Sequence, residues 1–503
     1  MPESYILALD QGTTSSRAIL VDRQGIPVAM GQHALTSLFP HPGWVEQRPS
    51  DIWSSQWEAV QDALRNADIR VEQIAAIGMA NQRETVILWD RLTGQPLYNA
   101  IVWQCRRTAA HCDALKTRGL GQMFRDKTGL VLDPYFSGTK VAWILDQVPG
   151  LRQRAQMGEI VFGTIDSWLV YQLTGGLRHV TDYSNASRTL LYNIHTLEWD
   201  AELLEILGIP PAMCPEVVDS SGVAGVTDPK WFGQSIPIAG IAGDQQAALF
   251  GQRCYQPGAM KNTYGTGSFL LMNIGAEPAR SHHDLLTTIA WGINGQVDYA
   301  LEGSIFITGA VVQWLRDELE IIEGPEDTEV LARSVPDTGG VYFVPAFAGL
   351  GAPYWDSYAR GTIVGLTRGS KRAHIVRAAL ESIAYHTRDV MEAMVDDAKH
   401  PLTTLNVDGG AITNNFLAQF QADILGAPLE RANHTETTAL GAAFLAGLAV
   451  GLWPDLEAIE QLAVQSERFE PKMDPEQKEA KYRQWRRAVA RSLAWSSGEE
   501  RDG

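Results

Sequence analysis

The stretch Asp10-Gln11-Gly12-Thr13-Thr14-Ser15-Ser16 places a carboxylate directly before a glycine turn rich in hydroxyls. Such a turn offers backbone N–H groups and Oγ donors to phosphate oxygens, and the carboxylate beside it can hold a hydrated Mg²⁺. A second carboxylate stands in Gly243-Asp244-Gln245-Gln246. Both must be delivered by ordered elements. Tyr5 to Leu9 (YILAL) reads as a buried strand that brings Asp10 to its carboxyl end, and Ile236 to Asp244 (IPIAGIAGD) reads as another, with Gln245 to Phe250 running on as a helix.

The positioning elements recur along the chain. In the first half, a strand, a glycine turn and a return strand run from Tyr5 through Gly12 to Val21; in the second half, Lys261 to Tyr264, the turn Gly265-Thr266-Gly267-Ser268, and Phe269 to Asn273 form the same kind of hairpin. Each half then has a strand ending in polar residues: Ile74 to Ala80 before Asn81-Gln82-Arg83-Glu84, and Leu405 to Val407 before Asp408-Gly409-Gly410. The spacing predicts two related domains facing each other across a cleft, residues 1–252 and 253–503, with one phosphate hairpin on each wall. Either turn alone is a tight turn that needs glycine for its backbone angles; flanking two carboxylates, the pair suits a triphosphate. No GxxxxGK[ST] occurs, and Gly265-Thr266-Gly267 is too short for a dinucleotide fingerprint.

Composition limits the alternatives. A chain of 503 residues with 45% hydrophobic residues exceeds one core and suggests roughly two to four domains. A formal charge of −18 argues against nucleic acid or an anionic membrane as partner. The opening MPESYILALD lacks the features of a signal peptide, Ala439 to Trp453 is too short for a span and reads as a closely packed core helix, and the four cysteines form no CxxC pair. A cytoplasmic α/β protein is expected. Lys472 to Gly503, strongly charged and carrying Trp485 and Trp495, reads as a solvated amphipathic helix packed on the second domain.

Arg83-Glu84 by default is a solvated ion pair on a loop, and Trp103 by default is core. Brought together with Asp133-Pro134-Tyr135, Asp244-Gln245 and Phe269, they would give a small polyhydroxylated molecule both paired polar groups and aromatic walls.

These segments resemble the carbohydrate kinase family often called FGGY, essentially from end to end. The resemblance rests on LDQGTTSSR (Leu9 to Arg17), PGWVEQ (Pro42 to Gln47), NQRET (Asn81 to Thr85), NAIVWQCRRT (Asn99 to Thr108), DPYFSGTK (Asp133 to Lys140), TDYSNASRT (Thr181 to Thr189), GIAGDQQAALFGQ (Gly240 to Gln252), KNTYGTGSF (Lys261 to Phe269), PAFAGLGAPYW (Pro345 to Trp355), GLTRG (Gly365 to Gly369) and DGGAITNNFLAQFQADILG (Asp408 to Gly426). Of these, NQRE, WQCRRT and GDQQAA point to glycerol over other sugars.

The resemblance implies an actin-like ATPase fold, two ribonuclease-H-like domains with the active site between them, and transfer of the γ-phosphoryl of ATP to glycerol, the first step of glycerol utilisation. Position by position, Arg83, Glu84, Trp103, Tyr135, Asp244, Gln245 and Phe269 match the glycerol pocket, and Thr13, Thr14, Ser15, Arg17, Thr266, Gly309, Gln313, Gly410 and Asn414 match the nucleotide site. Asp244 matches the catalytic base, and Asp10 with Asp244 the surroundings of Mg²⁺. A homodimer or homotetramer, and a loose association with a glycerol channel, are further implications.

Departures from the family concern regulation. The loop that binds fructose 1,6-bisphosphate in some bacterial members reads Lys230-Trp231-Phe232-Gly233-Gln234-Ser235 here and has no arginine; no histidine lies between His195 and His282 for phosphorylation; and Gln477 stands where an acidic residue helps dock a phosphotransferase protein. Two other readings stay open: a nucleotide-driven switch, disfavoured by Arg83-Glu84, Trp103 and Asp244-Gln245 and by the lack of a peptide-binding module after the second domain, and a xylulose or gluconate kinase.

Overall fold

A computed structural model describes residues 4–432, 436–463 and 466–496. Short runs of four to ten residues, many of them apolar and bounded by glycine or polar turns, become the strands of one 13-stranded sheet. They are β1 (Tyr5–Gln11), β2 (Ser15–Val21), β3 (Pro27–Ala34), β4 (Ile74–Asn81), β5 (Ser221–Val226), β6 (Pro237–Gly243), β7 (Met260–Tyr264), β8 (Ser268–Gly275), β9 (Leu286–Ile293), β10 (Gln296–Ile305), β11 (Leu405–Asp408), β12 (Leu429–Ala432) and β13 (Ser466–Phe469). Their order is β13-β12-β11-β7-β8-β10-β9-β5-β6-β4-β1-β2-β3.

The internal repeat is visible in the pairing. β1 pairs antiparallel with β2 and parallel with β4, and β7 pairs antiparallel with β8 and parallel with β11. The run β3-β2-β1-β4-β6 is thus matched by β10-β8-β7-β11-β12. The half-sheets join through one parallel pair, Ser221 with Ile293. Strands such as β1 are buried almost throughout, because helices cover both faces.

The helices that bear on the site are α1 (Ser137–Gln147), α2 (Asp244–Gly251), α3 (Gly309–Asp317), α4 (Arg372–Ala398), α5 (Asn415–Leu425), α6 (Thr437–Ala449) and α7 (Pro475–Ser492). The expected core helix after Ala439 is α6, and its small residues have a physical reason. A Cβ on Gly441 would lie 1.8 Å from the Ala247 carbonyl oxygen of α2, and one on Gly251 would lie 2.1 Å from that of Thr437. The helix between β12 and β13 of the second half therefore packs backbone to backbone against the helix that carries Asp244. Gly441→Val is expected to cost about 3 kcal/mol or more, read as a lowered melting temperature; an unchanged melting temperature would contradict this packing.

The C-terminal helix α7 buries Trp485, whose Nε1 donates to Asp389 of α4 at 2.8 Å. Trp495 departs from the expectation: the helix stops at Ser492, because Leu493 turns extended, and Trp495 is left 69% exposed. Residues 497–503 and the opening 1–3 lie outside the described residues. Among the described residues no helix is long and apolar enough to cross a membrane.

Candidate active site

The carboxyl ends of three adjacent strands build the first wall. Gln11 of β1 stands opposite Asn81 of β4, and Asn81 opposite Gly243 of β6, so Asp10, the Gln82-Arg83-Glu84 segment and Asp244 leave the sheet at one edge. Asp244 is the first residue of α2, where unpaired backbone N–H groups favour an anion, and its side chain is 29% exposed to the cleft.

Arg83 is the hub. It is buried, and its Nε lies 3.3 Å from Asp244 and 3.6 Å from Glu84, while one terminal nitrogen donates to the Tyr135 hydroxyl at 3.3 Å. The Phe269 ring centroid is 6.0 Å from the guanidinium carbon, Trp103 meets Tyr135 edge-on at 5.6 Å, and Gln245 follows Asp244 directly. The structure thus brings together Arg83, Glu84, Trp103, Tyr135, Asp244, Gln245 and Phe269. Arg83-Glu84 is not the solvated loop pair expected by default, because Arg83 and Arg188 are both drawn onto Glu302. Asp133 stays at the surface, paired with Arg106 at 2.7 Å.

Burial pushes the Asp244 carboxyl up to about 6, with Glu84 adding to the rise and the Arg83 guanidinium opposing it. Asp10 rises further, to about 7: burial dominates, Arg17 opposes it, and Asp244 and Glu436 add negative potential. Arg17 lies opposite Asp10 across the β1–β2 hairpin, 3.7 Å from that carboxylate and 3.1 Å from Glu436.

Glu302 behaves oppositely. Burial raises it, but the guanidiniums of Arg188 and Arg83 outweigh burial and hold it down at about 2, from an ordinary 4.5. A carboxyl depressed on folding stabilises the native state above its unfolded value and loses that contribution as pH falls through its folded one. Stabilisation on the order of 3 kcal/mol is therefore expected to disappear between pH 4.5 and about 2. Thermal melts across that window should show a steeper loss for the native chain than for Glu302→Gln, and equal slopes would contradict the pairing.

The second wall comes from the other half. The β7–β8 turn exposes Thr266, and the N–H of Gly309, which begins α3, donates to the Gly265 carbonyl at 2.9 Å. A Cβ at Gly309 would sit 2.7 Å from that oxygen, so the approach requires glycine. Thr266, Gly309, Gln313, Gly410 and Asn414 all line one cavity of about 790 Å³, with Leu380, Ile383 and Leu417 as its apolar side. Asn414 also caps α5, accepting from the Leu417 N–H at 3.0 Å. Thr13, Thr14, Ser15 and Arg17 do not line this cavity; they belong to the β1–β2 hairpin of the first half, and the Thr13 hydroxyl accepts from Trp103 Nε1 at 2.8 Å.

Four buried charged residues complete the acceptor side and were not among the sequence-based site residues. Lys140 of α1 donates to the backbone carbonyls of Glu84 and Tyr135 at 3.1 and 2.5 Å, Arg188 donates to Glu84 at 2.8 Å, Glu302 receives both arginines, and Lys261 donates to Gln245. Lys140, Arg188 and Lys261 lie inside the segments DPYFSGTK, TDYSNASRT and KNTYGTGSF. For Glu302 the available signal is a charge directly after the buried run Tyr299-Ala300-Leu301 of its strand.

The donor set at the strand ends fits a hard cation. Asp10 and Asp244 are carboxylates close enough for the Asp244 charge to disfavour ionisation of Asp10, a repulsion that a divalent ion with oxygen ligands removes.

Comparison with known proteins gives this geometry its relatives. Residues 5–251 match the N-terminal domain, and residues 260–450 the C-terminal domain, of the FGGY family of carbohydrate kinases. Glycerol kinase 2 of Thermotoga maritima is 62% identical over 491 residues, covering 98% of this chain and 99% of the relative. The crystal structure of Plasmodium falciparum glycerol kinase with ADP superposes with a TM-score of 0.93 at 36% identity, covering 98% of each chain. Gluconate kinase from Lactobacillus acidophilus gives 0.87 at 26% identity, covering 97% of each. A repeated half-sheet, two hairpins paired alike and family domains matched across both halves lead to one conclusion: the chain belongs to the FGGY family of carbohydrate kinases.

Proposed function

We propose that this chain transfers the γ-phosphoryl group of ATP to a terminal hydroxyl of glycerol, giving sn-glycerol 3-phosphate. The observation that carries this reading is the Arg83 cluster, which sets the Asp244 carboxylate 3.3 Å from a buried guanidinium in an aromatic-walled pocket, in a chain whose second half also holds a nucleotide-sized cavity. The 62% identity to a glycerol kinase supports glycerol as acceptor over the sugar acids of more distant relatives.

Phosphoryl transfer asks for in-line positioning and charge stabilisation more than covalent work by the protein. Arg83 and Glu84 grip glycerol hydroxyls, Trp103 and Phe269 cover its carbon edge, and Tyr135 and Gln245 complete the hydrogen bonding. Asp244 accepts the hydroxyl proton as the O–P bond forms. Thr13, Thr14, Ser15, Arg17 and Thr266 offer donors to the phosphates from both walls, while Gly309, Gln313, Gly410 and Asn414 receive the adenosine. Asp10 and Asp244 would hold Mg²⁺, which when bound offsets charge on the phosphate oxygens. Cleft closure excludes water, the competing acceptor.

The same reading divides the chain at 252/253, supported by family matches that end at 251 and resume at 260. It places the enzyme in the cytoplasm as a homodimer or homotetramer. Purified protein given ATP and Mg²⁺ should turn over rapidly with glycerol and weakly with xylulose or gluconate. Preference for either sugar would replace glycerol as acceptor, and ATP hydrolysis indifferent to every acceptor would make the chain a nucleotide switch.

A further inference from the structure

The acceptor pocket is built by residues of the first half together with Phe269, yet two of its first-half members, Arg83 and Gln245, are held from the second. Lys261 on β7 stands opposite Leu271 on β8, and Leu271 opposite Glu302 on β10, so the two charges lie in one row across three strands. Phe269, two positions along β8 from Leu271, shares their face. Lys261 is 0% and Glu302 1% exposed, in a sheet where apolar side chains would be cheaper to bury.

The function of Glu302 is plain from its partners, since it anchors Arg83 and Arg188 together. Lys261 has a more specific role. Its Nζ donates to the Gln245 Oε1 and, at 2.9 Å, to the Thr263 hydroxyl. A side-chain amide has one accepting and one donating end, and at the half-buried Gln245 an ammonium donor selects the accepting end. With its carbonyl oxygen committed to Lys261, the Gln245 amide has one orientation, and its NH₂ remains for a hydroxyl oxygen of the acceptor. β7 ends three residues beyond Lys261 and turns through Thr266, so one strand carries this anchor and the second phosphate hairpin.

We propose that Lys261 is a positioning residue for the acceptor: reaching from the second half, it fixes the Gln245 amide in the orientation that binds the alcohol. The inference rests on the reading of Gln245 as part of a glycerol pocket. Failure of the native chain to phosphorylate glycerol would remove that reading, whereas normal native turnover with an unaffected variant would remove only the role of Lys261.

The test measures steady-state kinetics of Lys261→Met, varying glycerol and ATP in turn, with folding checked by circular dichroism and gel filtration. Expected are a rise of about tenfold or more in the glycerol KM and an ATP KM within about threefold of the native value. Lys261→Gln, which keeps a donor but loses the charge, should show a smaller rise, and it carries the comparison alone if the methionine variant does not fold. In the double variant Lys261→Met/Gln245→Ala, the glycerol KM should match that of Gln245→Ala alone, because one residue acts through the other. An unchanged glycerol KM, parallel rises for glycerol and ATP, or losses that multiply in the double variant would each overturn the proposal.

Discussion

Asp244→Asn is expected to lower turnover with glycerol by about three orders of magnitude, while glycerol affinity stays within about tenfold. The substitution keeps the shape of a group that sits on the first turn of α2 with its backbone undisturbed. What it removes is the proton acceptor. It also removes a negative charge 3.3 Å from Arg83 Nε, so some loss of ground-state order accompanies the chemical defect. Arg83 keeps its bonds to Glu302 and Tyr135, which limits that loss. The check is a full kinetic comparison with glycerol binding measured separately by calorimetry. Near-normal turnover in the variant would remove Asp244 as base, and an equal loss in binding and turnover would make it a binding residue only.

Arg83→Ala should raise the glycerol KM by about a hundredfold or more, leaving the ATP KM within about threefold. Arg83 touches Glu84, Tyr135, Gln246, Asp244 and Glu302, all on the acceptor side, and does not line the nucleotide cavity. Its removal also leaves Glu302 with Arg188 as its remaining ion-pair partner among the described residues, so a loss of stability of about 3 kcal/mol accompanies the kinetic effect. Parallel increases for both substrates would show that Arg83 supports the whole cleft, and the assignment of the pocket would fail.

The parts of the site legible in the sequence are those whose information is local. An apolar run before Gly12 fixes where β1 ends, and the turn Gly265-Thr266-Gly267 fixes where β7 ends, so Asp10 and Thr266 could be placed at strand ends from their immediate neighbours. The repeat was legible for the same reason, since each hairpin is encoded within about twenty residues. What stayed hidden is pairing at long range. Arg83 and Glu302 are separated by 219 positions, and Arg188 and Glu84 by 104, so neither periodicity nor turn chemistry connects them. The default expectation for Arg83-Glu84, a solvated pair, failed because the strand carrying Glu302 passes beneath it. Trp495 was misplaced on the C-terminal helix because a charged, periodic segment does not announce that its backbone turns extended at Leu493.

The most direct test of the account is a crystal structure of the closed enzyme with glycerol and a non-hydrolysable ATP analogue. A carboxylate oxygen of Asp244 is expected within about 3.2 Å of a terminal glycerol hydroxyl, with the γ-phosphate in line behind it. A closed complex in which every glycerol oxygen lies farther than about 4 Å from Asp244, beyond hydrogen-bond reach, would contradict it.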